Sequence, residues 1–305
     1  MATISAQEVK TLRERTGCGM MECKKALVET EGDMEKAITL LREKGLATAE
    51  KKASRIAAEG YIGIYNDGKV AALAEVNCET DFVAKNEQFQ EFANKVAEIV
   101  AKTNPANLDV LMGSKYNSDM TVEDVRKEKV MVIRENITVR RFVRMEGNVF
   151  TYNHGNGKIG VITQFEAADA SSDDFAQMGK NVCMQVAAMN PSYLGREDVP
   201  SEVIEKEKEI MMVQIKNDPK TANKPPMVIE KMVTGKLGKY YSEFCLLDQA
   251  YFMDETMTVG QYVESKAKEY GQAISLKSYV RFERGEGIQK REDNFAEEVA
   301  KMNAK

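Results

Sequence analysis

Residues 65–73 read Tyr-Asn-Asp-Gly-Lys-Val-Ala-Ala-Leu, and residues 152–162 read Tyr-Asn-His-Gly-Asn-Gly-Lys-Ile-Gly-Val-Ile. Each stretch has the pattern of a strand, a glycine turn and a mostly apolar strand. A segment with apolar residues at every third or fourth position follows each stretch and predicts an amphipathic helix. The apolar positions are Phe89, Phe92, Val96 and Ile99 in the first copy and Phe175, Met178, Val182 and Val186 in the second. A closing strand also recurs, at residues 137–146 and 274–283. We therefore expect an α+β fold with a duplicated core, each copy being a small antiparallel sheet with helices on one face.

The second glycine turn also matches a dinucleotide-binding pattern. Residues 155–160 read Gly-Asn-Gly-Lys-Ile-Gly, which fits Gly-x-Gly-x-x-Gly. A dinucleotide loop follows a strand and opens a helix, whereas these glycines precede a strand-like run at residues 159–163. We interpret the motif as a hairpin turn, and no cofactor is expected there.

Helical patterns surround the duplicated core. Residues 3–45 predict three short helices, the first opened by a capping box at Ser5 and the third ended by Gly45 at its C′ position. Inside the second copy, residues 200–237 predict two helices around a proline-rich turn, an inserted antiparallel hairpin. A C-terminal helix is expected from about Asp293.

These patterns divide the chain into five parts. A helical hairpin interrupts the second core subdomain, so that subdomain is built from two separate stretches. The expected boundaries are 1–54 for the helical module and its connector, 55–140 for the first core subdomain, 141–190 with 240–284 for the second, 191–239 for the hairpin and 285–305 for the C-terminal module.

Composition excludes several classes of function. The 43 Lys and Arg residues and 48 Asp and Glu residues give a net charge of -5, so there is no overall basic field for nucleic acid. No apolar run is long enough to span a bilayer, and residues 1–8 lack the basic and apolar regions of a secretory signal. The five cysteines are scattered and odd in number, which suits reduced thiols. We expect a cytoplasmic protein that binds neither a membrane nor nucleic acid directly.

Few residues are suited to catalysis. His154 is the single histidine, which excludes a multi-histidine metal site and leaves one candidate base for a Ser/His/Asp triad. Cys18 and Cys23 lack the second cysteine pair of a zinc finger. The chain has no Gly-x-x-x-x-Gly-Lys-Ser/Thr loop for phosphate. We therefore expect no catalytic, metal-binding or cofactor-binding residues and a function that is not enzymatic.

The stretch that carries most information on function is residues 77–89, Asn-Cys-Glu-Thr-Asp-Phe-Val-Ala-Lys-Asn-Glu-Gln-Phe. It lies between an apolar strand and an amphipathic helix. Thr80 is placed to cap the residues that follow, and Asp81 and Phe82 stand together at the corner. In isolation, such an Asp-Phe pair is more often explained by Asp81 acting as a cap and Phe82 lying in the core.

Residues 80–86, Thr-Asp-Phe-Val-Ala-Lys-Asn, closely resemble the signature of the elongation factor Ts family. The stretch from Leu12 to Leu27, with Thr-Gly at 16–17 and Gly-Met-Met at 19–21, is similar to the same family, and the resemblance spans nearly the whole chain. It implies a guanine-nucleotide exchange factor of protein biosynthesis whose partner is the GTPase elongation factor Tu, in its GDP-bound and nucleotide-free forms. It also implies that the N-terminal helices are UBA-like (similar to a ubiquitin-associated domain), that the hairpin is a coiled coil used for self-association or partner contact, and that the C-terminal module docks on the partner.

The resemblance also assigns roles to individual residues. A wedge that enters the partner and displaces its Mg²⁺ is expected from Thr80, Asp81, Phe82 and Val83. Further partner-binding residues are expected to be Leu12, Met20, Met21, His154 and Gly155. For the two adjacent methionines, an equally good interpretation is that one lies in the core and the other is exposed.

Two other functions are compatible with parts of the sequence. A UBA-like interaction module without exchange activity would explain residues 3–45, but it predicts nothing about the duplicated core. A hydrolase that uses His154 as a base would need a nucleophile and an oxyanion hole, for which the sequence has no pattern.

Overall fold

The computed structural model describes residues 4–222 and 224–289. Two three-stranded antiparallel sheets lie at the centre of this part of the protein. In spatial order, the strands of the first sheet are β1 (Glu59–Asn66), β2 (Val70–Cys78) and β3 (Thr138–Glu146). Those of the second sheet are β4 (Asn148–His154), β5 (Ile159–Ala167) and β8 (Ile274–Glu283), while β6 (Ala250–Tyr251) and β7 (Asp254–Thr258) form a separate ribbon. The two predicted glycine turns join β1 to β2 and β4 to β5. The expected α+β class is confirmed.

A long helix packs against each sheet. The helices of the first copy are α4 (Asp81–Ala84), α5 (Glu87–Thr103), α6 (Leu108–Gly113) and α7 (Val122–Ile133), and those of the second are α8 (Asp173–Met189) and α11 (Val259–Tyr270). The apolar positions predicted for α5 and α8 are all buried, and they pack into one cluster in each copy. Asn104 and Asn190, both in the left-handed conformation, end these two helices in the same way.

The faces of the two sheets that carry no helix pack against each other. Ile62 of the first sheet meets Val149 and Ile162 of the second in a shared apolar cluster. The approach is close, because a Cβ added at Gly160 would lie 2.5 Å from Cγ2 of Ile62. The result is a layered core, with a helix outside each sheet and a sheet-to-sheet contact in the middle.

Three N-terminal helices pack on one another and on α7. They are α1 (Ala6–Thr16), α2 (Met20–Glu29) and α3 (Met34–Lys52). The capping box at Ser5 is present as predicted. The prediction that Gly45 ends the third helix is wrong, since α3 continues to Lys52. Gly45 instead faces α7, where an added Cβ would lie 3.2 Å from Sδ of Met131, so tertiary packing overrides the local preference of glycine.

The inserted segment forms two helices in contact, α9 (Ser201–Asn217) and α10 (Pro226–Phe244). Ile215 of α9 and Val233 of α10 are both buried. Two expected domain boundaries need correction, because 140/141 falls inside β3 and 239/240 falls inside α10. Hydrogen bonding along a strand or helix does not stop in its middle, so the natural divisions follow Glu146 and Phe244.

Two remaining points concern the C-terminal helix and membrane-spanning helices. The C-terminal helix expected from about Asp293 lies outside the described residues. Among the helices of residues 4–222 and 224–289, none combines the length and the apolar character needed to cross a membrane.

Candidate partner-binding surface

The corner between β2 and α5 is a single helical turn with a well-determined base. Thr80 caps α4, and its hydroxyl oxygen accepts a hydrogen bond from the backbone N–H of Val83 (3.4 Å). Ala84 is buried, and Val83 packs against the core of the first copy. The Cys78 thiol donates to the carbonyl of Thr80 (3.2 Å). Residues 80–84 therefore form a short, anchored projection at the end of β2.

Phe82 points away from this anchored base into solvent. Its side chain is 82% exposed, the largest fraction among the exposed large apolar residues of the described chain. The alternative that Phe82 belongs to the core is therefore wrong. Burying such a ring against another surface is worth about 1.5–3 kcal/mol, so the exposed ring is a source of binding energy for a partner.

Asp81 lies beside the ring and is held by Lys85 one turn later. The Lys85 ammonium donates to the Asp81 carboxylate (2.6 Å). This hydrogen bond lowers the pKa of Asp81 below its ordinary value, and the positive charge of Arg284 acts in the same direction. The corner therefore presents a fixed negative charge next to an apolar ring.

Glu135, at the start of the segment that leads into β3, fixes the base of the corner. Its carboxylate accepts hydrogen bonds from the backbone N–H groups of Glu79 and Thr80 (both 3.0 Å) and from the Thr80 hydroxyl (2.6 Å). Sequence reasoning did not identify Glu135. A glutamate after an amphipathic helix looks like a surface charge, and nothing local indicates that its partners lie more than fifty residues away.

Two of the three N-terminal residues expected to bind the partner are exposed. Met20 and Met21, in the first turn of α2, are 55% and 64% exposed, so the alternative of one buried and one exposed methionine is wrong. Leu12 is fully buried with Cys23 and Leu27 in the core of the three helices. The expectation that Leu12 contacts a partner is therefore corrected, because its side chain completes the core on which α2 rests.

His154 and Gly155 lie at the exposed tip of the β4–β5 hairpin. The His154 ring nitrogen Nδ1 is 3.1 Å from the hydroxyl oxygen of Tyr152. Gly155 has a φ of +60°, which favours glycine at this turn. At the base of the tip, the carbonyl of Gly157 accepts a hydrogen bond from the N–H of Ile62 (2.9 Å), which holds the hairpin against β1.

The corner and the tip lie at the same end of the first sheet. Glu59 at the start of β1 pairs with Cys78 at the end of β2, directly before the corner. The Arg284 side chain forms an ion pair with Glu59 (3.2 Å) and donates to the carbonyl of Gly60 (3.1 Å). The backbone N–H of Arg284 donates to the carbonyl of Lys158, next to the tip (2.9 Å). Arg284 thus joins the two surfaces, a connection that sequence reasoning missed.

No cluster of three or more His, Cys, Asp or Glu side chains within the described residues is arranged to hold a metal ion. All five cysteines are buried, and burial raises the pKa of Cys183 to about 12 and that of Cys245 to about 11. Such thiols stay protonated and are poor nucleophiles near neutral pH. The exposed ring of Phe82 and the exposed methionines instead suit contact with another protein.

Comparison with known proteins gives a consistent result. A model of the family described as elongation factor TS matches residues 79–286, which include the corner and the hairpin tip. Elongation factor Ts of Clostridium perfringens (strain SM101 / Type A) is 52% identical over 307 residues, covering 99% of this chain and 100% of the relative. Elongation factor Ts of Clostridium botulinum (strain Eklund 17B / Type B) is 49% identical with the same coverage, and that of Syntrophotalea carbinolica is 46% identical over 98% of this chain and 99% of the relative. Taken with the anchored Thr-Asp-Phe-Val corner, these matches mean that the chain belongs to the elongation factor Ts family.

Proposed function

We propose that this protein is the guanine-nucleotide exchange factor of elongation factor Tu and promotes GDP release so that GTP can bind. The observation that carries the proposal is the 82% exposed ring of Phe82 on an anchored one-turn helix. Membership of the elongation factor Ts family supports it. The action is on a binding equilibrium rather than on a covalent bond, so the protein is proposed not to be an enzyme.

The proposed mechanism uses the corner as a wedge formed by Thr80, Asp81, Phe82 and Val83. A GTPase holds GDP through its phosphate-binding loop and a Mg²⁺ ion that offsets the charge of the phosphates. The Phe82 ring would enter between elements of the partner, gaining about 1.5–3 kcal/mol from burial, and move the groups that hold the ion. The negative charge of Asp81 would compete for the hydrogen bonds that maintain the phosphate and Mg²⁺ site. By linkage, nucleotide must weaken factor binding by the same ratio, so GTP entry releases the factor.

The other exposed residues are proposed to complete the contact. Met20 and Met21 would offer adaptable apolar surface, and His154 with Gly155 would contact a second part of the partner. We keep the proposals that α1–α3 form a UBA-like module and that α9–α10 act as a coiled-coil arm for partner contact or self-association. We place the domain boundaries after residues 54, 146, 190, 244 and 284. We also place the protein in the cytoplasm, without direct contact to nucleic acid or membrane.

Release of fluorescently labelled GDP from elongation factor Tu tests the function and the wedge together. Phe82→Ala should slow the accelerated release roughly 10- to 150-fold, the equivalent of the lost burial energy. Asp81→Asn, which removes charge at nearly constant size, should also slow it. Phe252→Ala is the matched control, since Phe252 is another partly exposed phenylalanine, outside the corner, and should leave the rate unchanged.

The possible outcomes separate the proposals. If the unmodified protein does not accelerate GDP release but still binds elongation factor Tu, the alternative of an interaction module without exchange activity is favoured. If the unmodified protein is active and Phe82→Ala equals it, the exchange function stands and the wedge mechanism is rejected.

A further inference from the structure

Residues 134–136, between α7 and β3, contact both the Phe82 corner and the N-terminal helices. We propose that this segment, called here the 134–136 loop, holds the Met20–Met21 turn and the Phe82 corner in one fixed relative position. Glu135 is its central positioning residue. The inference rests on the proposed function only for its consequence, which is that one partner is engaged by both surfaces at once.

On the side of the corner, the 134–136 loop both accepts and donates hydrogen bonds. The three bonds accepted by the Glu135 carboxylate satisfy two backbone N–H groups that precede α4, as well as the Thr80 hydroxyl. In return, the backbone N–H of Asn136 donates to the Glu79 side chain (2.7 Å). Asn136 is 2% exposed and Thr80 is partly buried, so few of these groups could turn to water instead.

On the side of the N-terminal helices, the same loop is attached through Arg134 and Asn136. The Asn136 amide donates to the carbonyl of Arg55 just after α3 (2.8 Å). Lys52, the last residue of α3, donates to the carbonyl of Arg134 (2.5 Å). The Arg134 guanidinium donates to the carboxylate of Glu22 (2.7 Å), the residue next to Met21.

Apolar packing beside the loop supports the same attachment. Met131, near the end of α7, is buried in the core of the N-terminal helices. Val132 lies against the Gly17 turn that leads into α2, where an added Cβ would be 3.6 Å from Cγ2 of Val132. The N-terminal helices are therefore seated on α7 rather than tethered freely.

A fixed spacing between two contact surfaces has a direct effect on binding. When the first surface binds, the second is already in place and loses little further freedom, so both contribute to affinity. When the link is loose, the second contact must be ordered at binding and contributes less. Loss of Glu135 should therefore weaken the cooperation between the two surfaces, and not only the corner itself.

A distance measurement on the free protein tests the loop without reference to the partner. Spin labels at Met21→Cys and Phe82→Cys can be introduced selectively, because the five native cysteines are buried. Pulsed electron resonance should give a narrow distance distribution in this double variant. Adding Glu135→Ala should at least double its width. Adding Glu98→Ala, which removes an ion-paired glutamate on α5, should leave it unchanged. An equally narrow distribution with Glu135→Ala overturns the proposal.

Exchange kinetics then test the consequence. Glu135→Ala should raise the factor concentration for half-maximal GDP release about tenfold, because several donors lose their acceptor. Glu135→Gln should stay near the unmodified protein, since the amide oxygen still accepts from the two N–H groups and the amide donates to the Thr80 hydroxyl. This rescue separates positioning from a folding defect, which a thermal melt monitors.

A double-mutant cycle completes the test. Replacing Met20 and Met21 by Ala should cost at least threefold less in the Glu135→Ala background than in the unmodified protein. Fully independent losses would overturn the proposed cooperation. A broadened distance distribution together with no acceleration by the unmodified protein would support the positioning role and reject the proposed exchange function instead.

Discussion

At the scale of single residues, the corner places an exposed aromatic ring beside a carboxylate that stays charged. Asp81 and Lys85 are one helical turn apart, the spacing at which opposite charges meet on a helix surface. The pair is exposed, so its contribution to global stability is small. Its local effect is to keep Asp81 ionised and oriented next to Phe82.

The ion pair predicts a measurable titration. The Lys85 hydrogen bond lowers the pKa of Asp81 in the folded protein, so the pair stabilises the corner above the ordinary aspartate pKa of about 3.9 and loses this effect as the pH falls through the lowered value. Lys85→Met should raise the pKa of Asp81 towards the ordinary value, as measured by NMR of its side-chain carboxyl carbon. Lys102→Met, which breaks a comparable pair with Glu98, should leave the Asp81 titration unchanged.

At the scale of elements, the two copies make the same close contact between a strand and a helix, but the glycine lies on the strand in one copy and on the helix in the other. In the first copy Gly63 of β1 lets α5 approach, since an added Cβ would lie 2.1 Å from the carbonyl oxygen of Ala93. In the second copy Gly179 of α8 makes room for a strand ring, since an added Cβ would lie 2.3 Å from Cγ of Phe150. In the sequence repeat, Gly63 corresponds to Phe150 and Ala93 to Gly179. The small residue has thus moved from the strand to the helix while the contact is kept.

Replacing a helical glycine by alanine should change the free energy of unfolding in opposite directions at Gly179 and at Gly235. Gly179→Ala should reduce the free energy of unfolding by about 1–3 kcal/mol, because overpacking against Phe150 outweighs the better helix propensity of alanine. Gly235→Ala in α10, where an added Cβ meets no atom within 4 Å, should instead increase it by about 0.5–1 kcal/mol. Urea unfolding of both variants checks the signs. A stabilised Gly179→Ala variant would mean that the Phe150 ring can shift to accommodate the added methyl group.

At the scale of the whole molecule, an apolar layer and a buried charge join the two copies. Glu75 of β2 is fully buried and pairs with Arg140 (3.1 Å) and Arg141 (2.6 Å), while its carboxylate also accepts the N–H of Gly285 (2.7 Å). The Arg141 guanidinium lies over the ring of Phe282, 4.3 Å from its centre. The end of β8 and the residues after it are therefore fastened to the first sheet.

Because the sheets share one core, the two copies should unfold together. Ile162→Ala removes a fully buried side chain from the layer between them and should reduce the free energy of unfolding by about 2–5 kcal/mol. Fluorescent probes placed on α5 and on α8 should report the same lowered midpoint in urea. A shift seen only by the α8 probe would contradict a common core.

The sequence by itself determined the features that depend on short spacing. The apolar faces of α5 and α8, the cap at Thr80 and the turn at residues 155–157 all follow from residues that lie within a few positions of one another. The duplication was visible because each copy repeats such short patterns. Local periodicity and capping chemistry act over one or two helical turns, so they can be read without knowing the fold. The Thr-Asp-Phe-Val signature was recognisable for the same reason.

Only the tertiary structure decided which of these residues are available to a partner. Leu12 is part of a regular apolar stripe, and burial against α2 and α3 withdraws it from the surface, whereas Phe82 is exposed because Ala84 and Val83 take the inward positions of its single turn. The roles of Glu135 and the face-to-face packing of the sheets depend on contacts between residues far apart in the chain. Such contacts produce no periodic sequence pattern, because the two residues in contact do not fix the length or the path of the chain between them.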